Sequence, residues 1–165
     1  MFALAAYRGV ARELLLAFKE RGRRDLAGVL GALLAVALPL LPDVPLDAWV
    51  VPAPSRRAAS RRRGGSHVVG LARASGWRVS AALRFGPGVR ESVGLDARAR
   101  TINVAGRVLL ARSGLPPPGA TVVLLDDVVT TGATASACTS ALKAAGFRVP
   151  AVLTLTATRG PHPRG

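Results

Sequence analysis

Apolar side chains recur at helical spacing through the first part of the chain. The apolar positions are Leu4, Val10, Leu14, Leu15 and Phe18, and the basic positions on the other side are Arg8, Arg12, Lys19 and Arg23. Such a pattern is typical of a helix that packs one face against a core. Gly22 indicates a break, and Asp25 is suited to the start of a second helix. We therefore predict an N-terminal helical segment over residues 1–42, packed on the core.

The stretch from Leu26 to Leu41 is apolar throughout, so it has to be considered as a membrane segment. It is sixteen residues long and Pro39 interrupts it, whereas a spanning helix needs about 20 apolar residues. A signal peptide would begin with a short basic segment, but here a predicted amphipathic helix comes first. We therefore expect a buried core helix and no membrane span.

The remainder of the chain alternates short apolar runs with polar, glycine-rich or proline-rich connections. The patterns predict strands at 48–51, 78–83, 108–111, 121–125 and 149–156, helices at 66–74 and 131–145, and one helical turn at 98–103. The order strand, helix, strand near the end of the chain predicts a parallel βαβ unit. We therefore predict an α/β domain with a mostly parallel sheet over residues 43–158. Residues 84–97 form a long predicted loop, and residues 159–165 form a flexible tail.

The stretch VVLLDDVVTTGAT, residues 122–134, places two acids and a loop of small residues after an aliphatic run. Ligands bind at the carboxyl ends of the strands in parallel sheets. We expect the backbone to turn after the aliphatic run, so that Asp126 and Asp127 both face one ligand. The loop from Thr130 to Thr134 leaves room for an anion at the start of the next helix. An anion site beside paired carboxylates suits the phosphate and hydroxyls of a ribose 5-phosphate.

Other interpretations fit this stretch less well. A Walker loop ends in Gly-Lys-Ser/Thr, and a dinucleotide fold needs GxGxxG after its first strand, but neither pattern occurs here. A purely structural interpretation, with a turn and a helix cap, accounts for one aspartate and not for the pair. A metal ion is the alternative partner for the two carboxylates.

The net charge of +14 indicates a polyanionic partner. Nearly all of this charge is arginine, with a dense cluster at Arg56, Arg57, Arg61, Arg62 and Arg63. Such a cluster suits a small polyphosphate. It also suits nucleic acid, although we find no pattern of stacking aromatic residues, and a solvated basic loop is the third interpretation. The single Cys138 excludes an intrachain disulfide and fits a reducing cytoplasm, where we place the protein.

Candidates for acid–base chemistry are few. His67 flanks a predicted helix and His162 lies in the tail, so we expect both to be incidental. Cys138 lies among small residues in the helix after the motif, and we expect it to belong to the core.

Over its whole length, VVLLDDVVTTGAT resembles the phosphoribosyl diphosphate (PRPP) motif of type I phosphoribosyltransferases. The resemblance implies their three-layer α/β fold. It also implies a site in which Asp126 and Asp127 bind the ribose hydroxyls and take part in catalysis. The residues that it assigns to the 5-phosphate are Val128, Val129, Thr130, Thr131, Gly132, Ala133 and Thr134.

Three further stretches resemble the ComF branch of that family, which is linked to DNA uptake in competent bacteria. They are the segment from Tyr7, VVPAPSRRAASRRRGGSH from Val50, and SVGLDARARTINVAGRV from Ser92, so the resemblance extends over residues 7–158. Three features depart from it. The cysteine zinc module that often precedes this domain is not found in the sequence. Ser66 and His67 replace the Asn and Gln of an RGFNQ stretch, and Ser92 replaces another Gln.

The resemblance implies a reaction in which a nitrogen nucleophile displaces pyrophosphate at ribose C1. Catalysis would come mostly from positioning and charge neutralisation. The residues assigned to the pyrophosphate are Pro54, Ser55, Arg56 and Arg57. Mg²⁺ is the implied cofactor, carried by PRPP or held through water by the two aspartates, without a direct protein ligand. Arg84, Arg90 and Arg100 belong to a flexible loop that could close over the site, a solvated loop being the alternative.

Two functions are compatible with these features. In the first, the chain is a phosphoribosyltransferase that acts on PRPP and a nitrogen acceptor that the sequence does not identify. In the second, it is a PRPP-fold protein without catalysis that binds nucleic acid or competence proteins. A homodimer is a further assembly to consider for either function.

Overall fold

The computed structural model describes residues 1–21, 23, 25–55, 66–87 and 107–158. Its elements in chain order are β1 (Phe2–Ala6), α1 (Gly9–Lys19), α2 (Leu26–Ala37), a 3₁₀ turn (Leu38–Leu40), β2 (Trp49–Pro52), α3 (His67–Ala74), β3 (Arg78–Val79), β4 (Leu83–Phe85), β5 (Val108–Leu110), β6 (Thr121–Val129), α4 (Ala133–Ala144) and β7 (Arg148–Ala157). The predicted turn at 98–103, the tail at 159–165 and most of the predicted loop at 84–97 lie outside these residues.

Five of the strands form one parallel sheet in the order β1-β7-β6-β2-β3. Strand β6 lies at its centre, and its aliphatic residues from Val122 to Leu125 are fully buried. A strand covered on both faces needs such a continuous aliphatic run. Strands β4 and β5 pair separately and antiparallel. The prediction of an α/β fold with a mostly parallel sheet is therefore confirmed.

Helices cover the two faces of the sheet and give three layers. On one face, α1, α2 and α3 pack on a core that includes Val123 and Leu125 of β6. On the other face, α4 packs on Val122 and Leu124, and the predicted core position of Cys138 is confirmed by its complete burial. The alternation follows from strand geometry, since neighbouring side chains of a strand point to opposite faces.

The prediction that the chain begins with a helix is wrong for its first residues. Phe2–Ala6 is a strand that pairs parallel with β7, with Phe2 opposite Leu153 and Ala5 opposite Thr156. Strand β7 would otherwise expose a row of unpaired backbone groups at the sheet edge. This long-range pairing outweighs the weak helical preference of a short apolar segment. Within the N-terminal segment of residues 1–42, the helical pattern is confirmed for α1 and α2.

Two other element predictions also need correction. The strand predicted at 78–83 is divided into β3 and β4, which belong to different sheets. The strand predicted at 121–125 continues to Val129, because β7 is long enough to pair with it as far as Ala157.

Helix α2 is buried on one face only, so the expectation of a buried core helix is wrong for its outer face. Leu30 and Leu34 pack in the core. On the outer face, by contrast, Val29 is 63% exposed and Val36 is 67% exposed. Among the described residues, none of the helices combines the length and apolar character that a membrane crossing requires.

Gly31 sets the distance between α2 and α3. A Cβ atom placed on Gly31 would lie 2.6 Å from the backbone carbonyl of Ala74, whereas a Cβ atom on Gly28 of the same helix would meet nothing within 4 Å. We expect Gly31→Ala to destabilise the protein by about 1–3 kcal/mol through overpacking. We expect Gly28→Ala to stabilise it by about 0.4–1 kcal/mol. Denaturant unfolding of both variants tests the contact, and equal stabilities would contradict it.

Candidate functional site

The two aspartates of the motif lie within strand β6 and not in a turn after it. Asp126 is in register with Thr154, and Val128 is in register with Thr156. Because the strand continues, the two neighbouring side chains leave opposite faces of the sheet. The expectation that a turn after Leu125 brings both carboxylates to one side is therefore wrong for this structure.

Asp127 lies on the face covered by α1 and α3, and only 7% of it is exposed. Its Oδ2 atom contacts Lys19 Nζ at 2.7 Å and His67 Nε2 at 2.6 Å. Its Oδ1 atom accepts a hydrogen bond from the backbone N–H of Val128 at 2.7 Å. Both oxygen atoms of this carboxylate thus have partners from the protein itself.

The surroundings of Asp127 favour its charged form. Burial alone would raise the pKa of Asp127, but the hydrogen bond from His67 and the charge of Lys19 outweigh burial and hold that pKa below its usual range. The carboxylate is therefore ionised at neutral pH, and the Nε2–H of His67 is the donor in their hydrogen bond.

Asp126 lies in a different environment, on the face of α4. Its Oδ1 atom accepts a hydrogen bond from the backbone N–H of Asp127 at 2.8 Å. Burial and the neighbouring charge of Asp127 raise the pKa of Asp126 to about 8. Burial, and then the charge of Asp126, also raise the pKa of the Cys138 thiol to about 12. At neutral pH the pair of aspartates therefore carries close to one negative charge.

His67 is a site residue that the sequence prediction missed. Its ring packs edge-on against Phe18, with ring centroids 6.0 Å apart, and its Nε2 atom holds Asp127. The Nδ1 atom is buried and has no hydrogen-bond partner in the described part of the chain. One signal pointed to this residue, because His67 occupies the place of a polar residue in the stretch that resembles RGFNQ. Its distance of 60 residues from Asp127 gave no further indication.

Lys19 is the second residue that the sequence prediction missed. It is the last residue of α1, and the sequence pattern placed it on the solvent side of that helix. In the structure its side chain is only 32% exposed, because it reaches along the helix end to Asp127. A long lysine stem allows such a reach while the charge stays at the partner.

The loop after β6 leads directly into helix α4, and its assignment to an anion stays a prediction. Gly132 has a φ angle of 77°, in the left-handed region that favours glycine, and α4 begins at the next residue. Thr131 Oγ1 accepts a hydrogen bond from the backbone N–H of Ala133 at 3.4 Å. Thr130 and Thr131 are exposed, and no acidic residue lies in the first turn of α4. The partial positive charge of that helix end is therefore open to an anion.

The structure brings part of the predicted pyrophosphate segment to the same edge of the sheet. The backbone N–H of Ala53 donates to the carbonyl of Leu125 at 2.7 Å, which continues the pairing beyond β2 toward Pro54. The hydroxyl of Ser55 is 2.7 Å from that of Ser66, the N-cap of α3.

Of the arginines predicted to contact the ligand, the structure describes only Arg84. The residues that lie outside its described part are Arg56, Arg57, Arg90 and Arg100. Arg84 is exposed on β4, in the separate two-stranded sheet, and makes no ion pair with either aspartate. Their assignment to a pyrophosphate or to a closing loop therefore stays a prediction.

Comparisons with solved structures support the fold. A crystal structure of adenine phosphoribosyltransferase aligns with a TM-score of 0.53 and 16% identity, over 90% of this chain and 89% of that chain. Leishmania donovani UMP synthase aligns with a TM-score of 0.50 and 14% identity, over 92% of this chain. This chain spans only 32% of the length of that enzyme.

Comparison of the sequence with protein-family models gives no match, and comparison with curated proteins gives none. At these low identities the structural likeness concerns the fold alone. The chain is thus similar in fold to adenine phosphoribosyltransferase, and the three-layer α/β architecture implied by the motif is confirmed.

The raised pKa of Asp126 predicts how stability depends on pH. The pKa of a carboxyl group in the unfolded chain is about 4, and the folded value is about 8. The folded state therefore binds the proton of Asp126 more tightly than the unfolded state does. The stability that this proton binding contributes is complete below pH 4 and is lost as the pH rises to 8. We expect the melting temperature to fall by about 3 °C or more between pH 5 and pH 8. Asp126→Asn should remove most of that slope.

Asp25→Asn is the matched control for this measurement. Asp25 pairs with Arg23 on the surface, and that hydrogen bond lowers the pKa of Asp25. The stability that Asp25 contributes is lost only in acid. Removal of its charge should therefore leave the slope of melting temperature between pH 5 and pH 8 unchanged. An unchanged slope in Asp126→Asn would contradict the raised pKa.

Proposed function

We propose that the chain binds PRPP and transfers its phosphoribosyl group to a nitrogen acceptor, with release of pyrophosphate. The observation that carries this proposal is the Thr-Thr-Gly loop at the carboxyl end of the central strand. Gly132 turns the backbone there into the start of α4, and four residues separate it from the two aspartates. A fold similar to that of adenine phosphoribosyltransferase adds support, because ligands of parallel sheets bind at this edge.

In this proposal the loop from Thr130 to Thr134 binds the 5-phosphate. Its exposed threonine hydroxyls and the end of α4 supply hydrogen-bond donors and partial positive charge. Asp126 binds a ribose hydroxyl, since its side chain is only partly buried and forms no ion pair with a described residue. Pro54, Ser55, Arg56 and Arg57 bind the pyrophosphate, for which paired arginines are suited.

The proposed reaction is a substitution at ribose C1. The lone pair of the acceptor nitrogen forms the new bond to C1, while the bond from C1 to the pyrophosphate oxygen breaks. The pyrophosphate leaves with the bonding electrons, and the nitrogen loses its proton to the solvent. The residues of the site act by holding the sugar and by neutralising the leaving group.

Mg²⁺ does not fit as a direct ligand of Asp127. Both oxygen atoms of that carboxylate have protein partners, and two of those partners are Lys19 and His67. No group of three or more metal-binding side chains occurs among the described residues. In our proposal any Mg²⁺ therefore arrives with the pyrophosphate of PRPP, and we assign it no contact with Asp127.

We further propose a place in the ComF branch, with a link to DNA uptake in a cytoplasmic setting. This finer assignment rests on the three stretches from Tyr7, Val50 and Ser92 that resemble that branch. This proposal assigns neither the acceptor nor a homodimeric assembly.

A non-catalytic PRPP-binding protein is the second candidate, and one observation favours it. Asp127 already contacts Lys19 and His67. It is therefore less free to bind a ribose hydroxyl than a carboxylate without protein partners would be. Such a protein would sense PRPP, or use its arginine-rich surface to bind nucleic acid or a competence protein.

Calorimetry with PRPP and Mg²⁺ tests the binding site through Gly132. We expect Gly132→Ala to weaken PRPP binding about tenfold, because alanine disfavours the left-handed conformation that orients the loop. Gly114 also has a positive φ angle, of 70°, and an added Cβ there meets nothing within 4 Å. Gly114→Ala therefore introduces the same strain away from the loop and should keep wild-type affinity. Equal affinities in the two variants would contradict a phosphate site at Gly132.

Release of pyrophosphate separates the two candidate functions. We expect the wild-type protein with PRPP, Mg²⁺ and a panel of bases and amines to release pyrophosphate with at least one acceptor. Asp126→Ala should reduce that rate at least about tenfold, because it removes both oxygen atoms that hold the sugar. PRPP binding without pyrophosphate release from any acceptor would support the non-catalytic function.

A further inference from the structure

Three distant parts of the chain meet at one oxygen atom of Asp127. Lys19 comes from the end of α1 and His67 from the start of α3, and both contact the Oδ2 atom that β6 supplies. The side chains of His67 and Asp127 are each only 10% exposed. Lys19 lies in the N-terminal segment, before the predicted α/β domain that begins at residue 43.

The charges of this cluster balance without an added ion. Asp127 is negative, Lys19 is positive, and His67 completes the hydrogen bonding of Oδ2. Burying a carboxylate without a partner is costly, so a buried carboxylate needs a positive charge or several donors. A divalent cation is one way to meet that need, because it binds carboxylate oxygens. Here the protein supplies the positive charge itself.

We propose that Lys19 and His67 are positioning residues of the phosphosugar site and act as its built-in counter-charge at Asp127. A ribose phosphate then binds beside the two aspartates without a divalent cation at Asp127. This inference rests on the proposed function, because it assigns new residues to the same site. It makes the N-terminal segment part of that site, since α1 delivers Lys19.

The two residues make different contributions. Lys19 supplies the charge that keeps Asp127 ionised and leaves the neighbouring Asp126 as the acid that faces the ligand. His67 fixes the orientation of Oδ2, and the T-shaped contact with Phe18 in turn restrains the imidazole ring. Loss of either contact leaves a buried carboxylate whose position and protonation are no longer set by the protein.

Calorimetry with ribose 5-phosphate tests the proposal, because this probe lacks the pyrophosphate that would carry Mg²⁺ to the site. The proteins are the wild type, Lys19→Met, Lys19→Arg and Lys143→Met, each measured in EDTA and in Mg²⁺. Lys143 is exposed near the end of α4 and is the only other lysine, so its variant is the control for net charge.

We expect the wild type and Lys143→Met to bind ribose 5-phosphate with affinities in EDTA and Mg²⁺ that agree within about twofold. Lys19→Met should bind about tenfold more weakly in EDTA and recover part of that loss in Mg²⁺, because a cation can then reach the carboxylate. Lys19→Arg should retain most of the affinity. His67→Gln, which keeps an N–H donor, should bind more tightly than His67→Leu.

Two results would overturn this inference while leaving the proposed function intact. One is wild-type binding of ribose 5-phosphate that is lost in EDTA. The other is an affinity of Lys19→Met equal to that of Lys143→Met in both conditions. If the wild type binds neither ribose 5-phosphate nor PRPP, the proposed function fails, and this inference fails with it.

A ligand-free measurement covers the case in which Lys19→Met folds poorly. We expect the melting temperature of Lys19→Met to lie below that of Lys143→Met. The double variant Asp127→Asn/Lys19→Met should recover part of this decrease in melting temperature. That recovery is expected because the double variant contains no uncompensated buried charge. If Lys19→Met melts at the same temperature as Lys143→Met, Lys19 does not compensate a buried charge and the proposal is wrong.

Discussion

The buried carboxylate of Asp127 ties the central strand to two helices from distant parts of the sequence. A carboxylate whose side chain is only 10% exposed needs compensation, and α1 and α3 supply it through Lys19 and His67. This one charge therefore joins the ends of both helices to the central strand, in addition to their apolar packing. Because the same acid precedes the loop from Thr130 to Thr134, the electrostatics of the candidate site and the packing of the N-terminal segment are coupled.

The continuation of β6 through the acidic pair explains why its two members differ. Strand geometry sends Asp126 and Asp127 to opposite faces, so only Asp127 contacts a cation and a histidine. The pKa of Asp127 is lowered while that of Asp126 is raised to about 8. Two adjacent like charges are thus avoided at neutral pH, and Asp126, which forms no ion pair with a described residue, is the acid that we propose for the ligand.

Much of the fold could be predicted from local sequence. The aliphatic run of β6, the good helix residues of α4 and the second run of β7 each carry a signal within a few residues, and together they imply a parallel βαβ unit. Phe2–Ala6 was mispredicted because a short alanine-rich segment has no strong preference of its own. Its conformation comes from pairing with β7, which lies about 150 residues later in the sequence. The outer face of α2 was mispredicted because an apolar helix carries no pattern that distinguishes its two faces.

The sequence by itself determined the identity and order of the chemical groups at the site, since the acids, threonines and glycine occupy one continuous stretch of chain. Their local conformation followed, because Gly132 is the residue that tolerates the left-handed turn before α4. Only the tertiary structure decided what each acid contacts. Lys19 and His67 lie 108 and 60 residues from Asp127 along the chain, and no periodicity or spacing encodes such a meeting. It arises because packing of α1 and α3 on one face of the sheet places their ends beside a buried charge that must be compensated.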